Sequence, residues 1–192
     1  MLNKRFFVLL GIILSAAAMR LVPHPPNVTP IAAMALFGGT HFANKKIAFL
    51  VPLVAMYLSD LLLGFFVYDF GWFHGFMPFV YISFVITVCL GFLVRRRFTP
   101  FMVGGTALVG SVLFFIVTNF GAWLISGLYP KTLAGFFSCY VAAIPFFRNT
   151  LAGNVVYTLV LFGGFALAQR YLLVLHEKPV TIPAHVSSIK NS

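Results

Sequence analysis

The residue with the most chemical content is a carboxylate inside an apolar stretch, Asp60 in Tyr57-Leu58-Ser59-Asp60-Leu61-Leu62-Leu63-Gly64. An ionised side chain in such a run needs a cation, a hydrogen-bond cluster or a proton of its own. Two roles stay open: an internal ion pair, with Arg148 expected at the same level, or contact with a ligand. Other polar and aromatic groups fall near the same ends of the apolar runs. The segment 69–78 carries Asp69, Trp72 and His74, and Tyr81 follows it. Asn119 and Trp123 are four apart and share a helix face. Tyr129, Arg148, Asn149, Asn154 and Tyr157 complete the set. Aromatic surface with a few polar groups suits an organic ligand. The same tryptophans and tyrosines also suit an interfacial belt, and His74 alone suits an ordinary loop.

Motifs for other chemistry are missing. The chain has no phosphate-binding glycine loop, no nucleophile elbow, no HExxH and no Cys/His metal pattern. Three acidic residues leave little material for acid–base catalysis. The expectation is a protein that is not an enzyme and holds no cofactor. Cys89 and Cys139 lie far apart in apolar stretches, where small packing roles suit them.

The elements that must position these residues follow from composition. The 192 residues are 61% hydrophobic and 8% charged, against roughly 25% charged in soluble domains. So few ionised groups cannot cover a water-exposed surface. An all-α, polytopic membrane protein is the expected fold class. Apolar runs cover about 6–19, 30–43, 47–67, 78–94, 101–125 and 149–174. They predict six transmembrane helices, the second one short. The stretch 132–147, interrupted by Gly135 and Pro145, reads as a re-entrant or interfacial segment. Residues 1–176 form a single transmembrane domain, and the polar residues 177–192 a disordered cytoplasmic tail. No internal repeat is visible.

Net charge is +10, yet the basic residues lie between apolar runs and no nucleic-acid recognition motif accompanies them. They read as topology signals. Six crossings with both termini cytoplasmic put ten of them inside, including Lys4, Arg5, Lys45, Lys46, Arg95, Arg96, Arg97 and Arg170. Arg20, Lys131 and Arg148 stay outside, the bias that the positive-inside rule demands for a plasma (inner) membrane protein. Residues 1–18 also have the charged, apolar, small-residue order of a signal peptide. An uncleaved first helix is the expectation.

Residues 20–30 read Arg-Leu-Val-Pro-His-Pro-Pro-Asn-Val-Thr-Pro. The prolines force an extended connection, and Asn27 or Thr29 could cap the short second helix, with Pro30 in its first turn. That helix is rich in small residues, Ala32, Ala33, Ala35 and Gly39 among them. Small residues let helices approach closely in lipid, inside the bundle or against another membrane protein.

Together these motifs resemble a bacterial membrane family. The resemblance covers about residues 20–165 and is carried by Arg20 to Ala33, Ala35 to Gly39, Ser59-Asp60 with Gly64, and His74 with Met77 and Val80-Tyr81. Phe114-Phe115 with Thr118 to Gly121 and Trp123, and Ile144 to Phe147, also belong to it. That family in turn resembles the substrate-binding S components of energy-coupling factor (ECF) transporters. The resemblance implies capture of a vitamin-like molecule from outside, at Asp60, His74, Tyr81, Asn119, Trp123, Arg148 and Asn154. It implies docking to an ECF transmembrane subunit with two ATPases through Ala32, Ala33, Ala35 and Gly39. Solitary relatives of this type are associated with cobalamin, which a loop cysteine meets. The 69–77 loop here has no cysteine, and His74 stands near that place. A non-transport membrane subunit is the alternative.

Overall fold

The computed structural model describes residues 4–67, 75–172 and 175. Helix α1 runs Lys4–Ala18 and ends in a 3-10 turn, Met19–Leu21; α2 is Ile31–His41 and α3 is Lys45–Phe66. Then come α4, Met77–Arg96, and α5, Pro100–Ile125. Helix α6, Leu133–Thr158, passes through a π-helical turn, Leu159–Gly163, into α7, Gly164–Tyr171. Among the described residues there is no strand.

Where the sequence predicts six transmembrane helices, four among the described residues are long and apolar enough to cross a membrane: α3, α4, α5 and the continuous rod 133–171. At 1.5 Å per residue, α3 rises about 33 Å and α5 about 39 Å, against a hydrocarbon core of about 30 Å. Much of their apolar surface is not inside the protein. Leu50, Phe66 and Phe101 are among the exposed large side chains, and water would penalise each by its apolar area. Lipid removes that penalty. The chain is a multi-pass helical membrane protein.

One expectation is corrected here. Residues 132–147 are neither re-entrant nor separate: they are the first half of α6, which continues through Pro145 into the last apolar run. Proline removes one helical hydrogen bond, but neighbouring helices and local adjustments make such sites tolerable in transmembrane helices. At 39 residues the rod is about 58 Å long.

Helix α2 is the centre of the bundle. Ten of its eleven residues are buried, which no amphipathic surface helix achieves. It packs most closely on α4 and also touches α1, α3, α5 and α6. The approach to α4 is nearly backbone to backbone: a Cβ at Gly91 would lie 2.7 Å from the Leu36 carbonyl oxygen and 2.8 Å from Gly39 Cα. The Thr40 hydroxyl donates to the Leu36 carbonyl at 2.8 Å, with the Gly91 carbonyl at 3.3 Å. Phe37 meets Phe162 and Phe165 edge-on. Ala32, Ala33, Ala35 and Gly39 are therefore buried within this chain. They hold the bundle together and are not presented to a partner, which corrects their reading as a docking face.

Most of the described basic residues sort to one end. Arg95 donates to the carbonyls of Phe42 and Ala43 at 2.9 and 3.0 Å, closing the α2–α3 turn. Lys45 begins α3 and Arg97 follows α4. Arg5 lies 6.0 Å from the Phe165 ring. His41, Phe98 and Phe162 also meet at this end. The tail 177–192 lies outside the described residues.

Candidate functional site

Because α2 has eleven residues it rises only about 16 Å, roughly half the hydrocarbon thickness. The half of the bundle beyond Ile31 must be filled by something else. That role falls to the segment between α1 and α2, which bends over the N-terminus of α2 and leaves two adjoining chambers. The first, ≈ 180 Å³, is lined by residues that include Arg20, Asn27, Thr29, Asp60, Phe114 and Thr150. The second, ≈ 240 Å³, adds Phe115, Thr118, Asn119, Phe146 and Phe147. Asn27, Val80, Phe114 and Thr150 line both chambers.

The chain's bend comes from local chemistry. Val28 N–H donates to the Pro25 carbonyl at 3.1 Å, closing a turn with Pro26 and Asn27 at its centre. Asn27 has φ 64°, the left-handed region that asparagine tolerates better than most residues. Neither Asn27 nor Thr29 caps α2, whose cap position is Pro30 with no side-chain hydrogen bond. The capping expectation fails because Asn27 is committed to the turn. Pro30 precedes the first helical turn where the sequence suggested it would sit inside it. The segment is fastened to α6: Asn149 Nδ2 donates to the Pro26 carbonyl at 3.0 Å. A Cβ at Gly153 would come within 2.9 Å of Val28 Cα, so glycine lets this chain lie directly on the helix.

Asp60 has its partner from an unanticipated direction. Arg20 Nη2 meets Asp60 Oδ1 at 2.5 Å, both side chains being more than nine-tenths buried. Arg20 Nη1 donates to the Met56 carbonyl at 3.2 Å and to the Ser59 hydroxyl. The Tyr81 hydroxyl donates to Asp60 Oδ2 at 2.9 Å. The carboxylate is thus held on both oxygens, as a buried charge must be. Asp60 is the only acidic side chain among the described residues. Arg148, the cation expected here, is exposed on α6 and makes no hydrogen bond or ion pair among the described residues. The 3-10 turn after α1 carries Arg20 inward, where its planar fork can reach several acceptors at once.

The remaining sequence-derived residues divide. Asn119 lines the second chamber; its amide donates to the Phe115 carbonyl at 2.8 Å. Tyr81 orients Asp60 and does not line either chamber. Trp123 is occupied elsewhere: its indole N–H donates to the Pro130 carbonyl at 3.1 Å, and Lys131 stands over its ring at 5.4 Å. Asn154 also lies outside the chambers. It is 2% exposed and its amide donates to the Ala107 carbonyl and the Ser111 hydroxyl, both at 2.7 Å, tying α6 to α5. The Cys139 thiol donates to the Asn119 carbonyl at 3.6 Å in the α5–α6 seam, whereas Cys89 is exposed. His74, with Asp69 and Trp72, lies outside the described residues. No group of three or more metal-ligating side chains occurs among the described residues.

Residues that site reasoning passed over include Arg20, Phe114, Phe147 and Thr150. Arg20 had a readable signal: it is one of three cations left on the less basic side, and a buried aspartate there needs one of them. The aromatic wall had a weaker signal in the pairs Phe114-Phe115 and Phe146-Phe147. What the arrangement offers chemically is recognition. The rings of Phe114, Phe115, Phe146 and Phe147 share the lining with amides and hydroxyls, while the charged pair is mutually neutralised.

No curated protein and no solved structure matches this chain. The sequence pattern of a family of unknown function, DUF6580, matches residues 1–179. The match takes in every helix described above, so the chain belongs to the DUF6580 family.

Proposed function

We propose that the chain is a substrate-capturing component of the bacterial plasma membrane that takes a small vitamin-like molecule from the extracytoplasmic side. The observation that carries this reading is the pair of adjoining chambers over the half-length helix α2, walled by Phe114, Phe115 and Phe147 and furnished with Asn27, Asn119 and Thr118. A concave site that sets aromatic rings beside fixed polar groups can hold and orient a small organic molecule. The resemblance to ECF S components supports the same function by fold-level analogy. An ECF transmembrane subunit and two ATPases would supply the energy, and they would dock on a surface other than the buried face of α2. The chamber volumes favour a vitamin or precursor of modest size, since an intact cobalamin is far larger than both together.

Binding to the purified full-length protein, measured by calorimetry across a panel of vitamins and precursors, tests this. At least one compound should bind, and Phe114→Ala and Asn119→Ala should each weaken it about tenfold, or ~1.4 kcal/mol. Cys89→Ala should leave it unchanged. Absence of binding by every compound would end the proposal.

The topology that goes with this function has both termini cytoplasmic and the basic end of the bundle facing in, with α3, α4, α5 and the 133–171 rod as the full crossings. In a variant with Cys89 and Cys139 replaced by alanine, cysteine at Leu128 should react with a membrane-impermeant thiol reagent on intact cells. Cysteine at Lys46 should react only after permeabilisation. The opposite pattern would invert the protein and move the site to the cytoplasmic side.

A further inference from the structure

Helix α1 packs on α2 and α3 and faces the C-terminal half of the last helical rod across an open groove of ≈ 570 Å³. One wall is Val8, Gly11, Ile12, Ser15, Ala16 and Met19; the other runs from Tyr157 to Ala168. Both walls carry small residues at four-residue spacing, Gly11 with Ser15 and Gly164 with Ala168. Such spacing ordinarily draws helices together. Here it does not: a Cβ at Gly11 or Gly164 would meet no heavy atom within 4 Å. The space is open and apolar.

Its length and charge indicate what fills it. From Val8 to Met19, and from Tyr157 to Ala168, the groove runs about 16 Å, one leaflet of a ~30 Å hydrocarbon core. Lys4 stands one helical turn beyond Val8 on the same face and is exposed. Arg5 lies beside Phe165, a groove residue, and exposed Arg170 follows Ala168 by two positions. The sole acidic side chain among the described residues, Asp60, belongs to the other half of the bundle. The geometry points to one occupant: an anionic phospholipid of the leaflet at the Lys4 end, with one acyl chain in the groove and its phosphate between Lys4 and Arg170. The chain's own terminal segment is a poor alternative, because residues 176–192 are largely polar.

Native mass spectrometry of the delipidated full chain provides the test, with equal amounts of phosphatidylglycerol and phosphatidylcholine carrying identical palmitoyl chains. Phosphatidylglycerol should be retained at one per chain, at least fivefold over phosphatidylcholine, since a basic residue near an anionic headgroup contributes ~1 kcal/mol. The double variant Lys4→Ala/Arg170→Ala should erase the preference. Gly11→Leu and Gly164→Leu should displace both lipids while the melting temperature holds or rises, because the added side chain enters open space and leucine favours the helix over glycine. Equal retention of the two lipids would overturn the assignment, as would undiminished retention in Gly11→Leu. Disulfide trapping of Gly11→Cys to a second copy in native membranes would also overturn it, giving the groove to a neighbouring chain.

Discussion

Asp60→Ala lowers the stability of the purified protein by about 3–5 kcal/mol, because it leaves the Arg20 guanidinium charged and unpaired in the bundle. Arg20→Ala costs as much for the complementary reason, and it also strips the Ser59 hydroxyl and the Met56 carbonyl of a donor. The informative variant is the double one. Arg20→Met with Asp60→Leu removes both charges at similar volume and should recover most of the loss, since ion pairs replaced by apolar groups are often near neutral. Melting followed by size-exclusion chromatography in detergent separates the cases. If the double variant melts as low as the singles, the pair is not the source of the effect. Tyr81→Phe is the mild member of the series, at about 1.5–3 kcal/mol, since it deletes one hydrogen bond to a charged group.

The second large effect comes from a single methyl group. In Gly39→Ala the new Cβ would fall on the Val88 carbonyl oxygen and within 3.0 Å of Gly91 Cα. Both are backbone atoms, so α2 and α4 must move apart along a contact that organises the whole bundle. Overpacking of this kind costs about 1–3 kcal/mol, and a rigid obstacle places it at the upper end. Gly104→Ala is the control, in α5 with no atom within 4 Å of the added carbon. There the ordinary helix propensity difference should act alone, stabilising by up to ~1 kcal/mol. Two glycine-to-alanine changes in one protein should shift the melting temperature in opposite directions. A common sign would mean that the α2–α4 approach is looser than described.

The contrast between those two glycines also marks what a sequence reading can reach. The runs 47–67, 78–94 and 101–125 anticipate α3, α4 and α5 to within two residues, because lipid selects nearly every residue of a span by hydropathy. The short second helix was equally visible in 30–43 against Ile31–His41. Its central position was not, since a low helical moment is shared by buried helices and by lipid-exposed ones. Pro145 suggested a break that α6 does not make, because the compensation for proline lies in neighbouring helices rather than in the local sequence. The site was legible as a side of the membrane and not as a set of contacts. Asp60 announced that it needed a partner, but nothing local distinguished Arg20 from Arg148. Asn119 reached a chamber, while Trp123 and Asn154 found bonds inside the fold that no spacing rule foretells.

The Arg20–Asp60 link also bears on how the protein is made. Forty positions separate the two residues, and a chain elongating at ~5–20 residues per second needs about 2–8 seconds to supply the second after the first. During that interval Arg20 has no carboxylate to receive it, and a lone guanidinium is costly in hydrocarbon. Until α3 is synthesised, the headgroup layer is the less costly place for it. Helix α2 is itself too short to hold a place in the bilayer by hydrophobicity alone. The contacts that place α2 at the centre of the mature bundle therefore become available only after α3 and α4 have been synthesised.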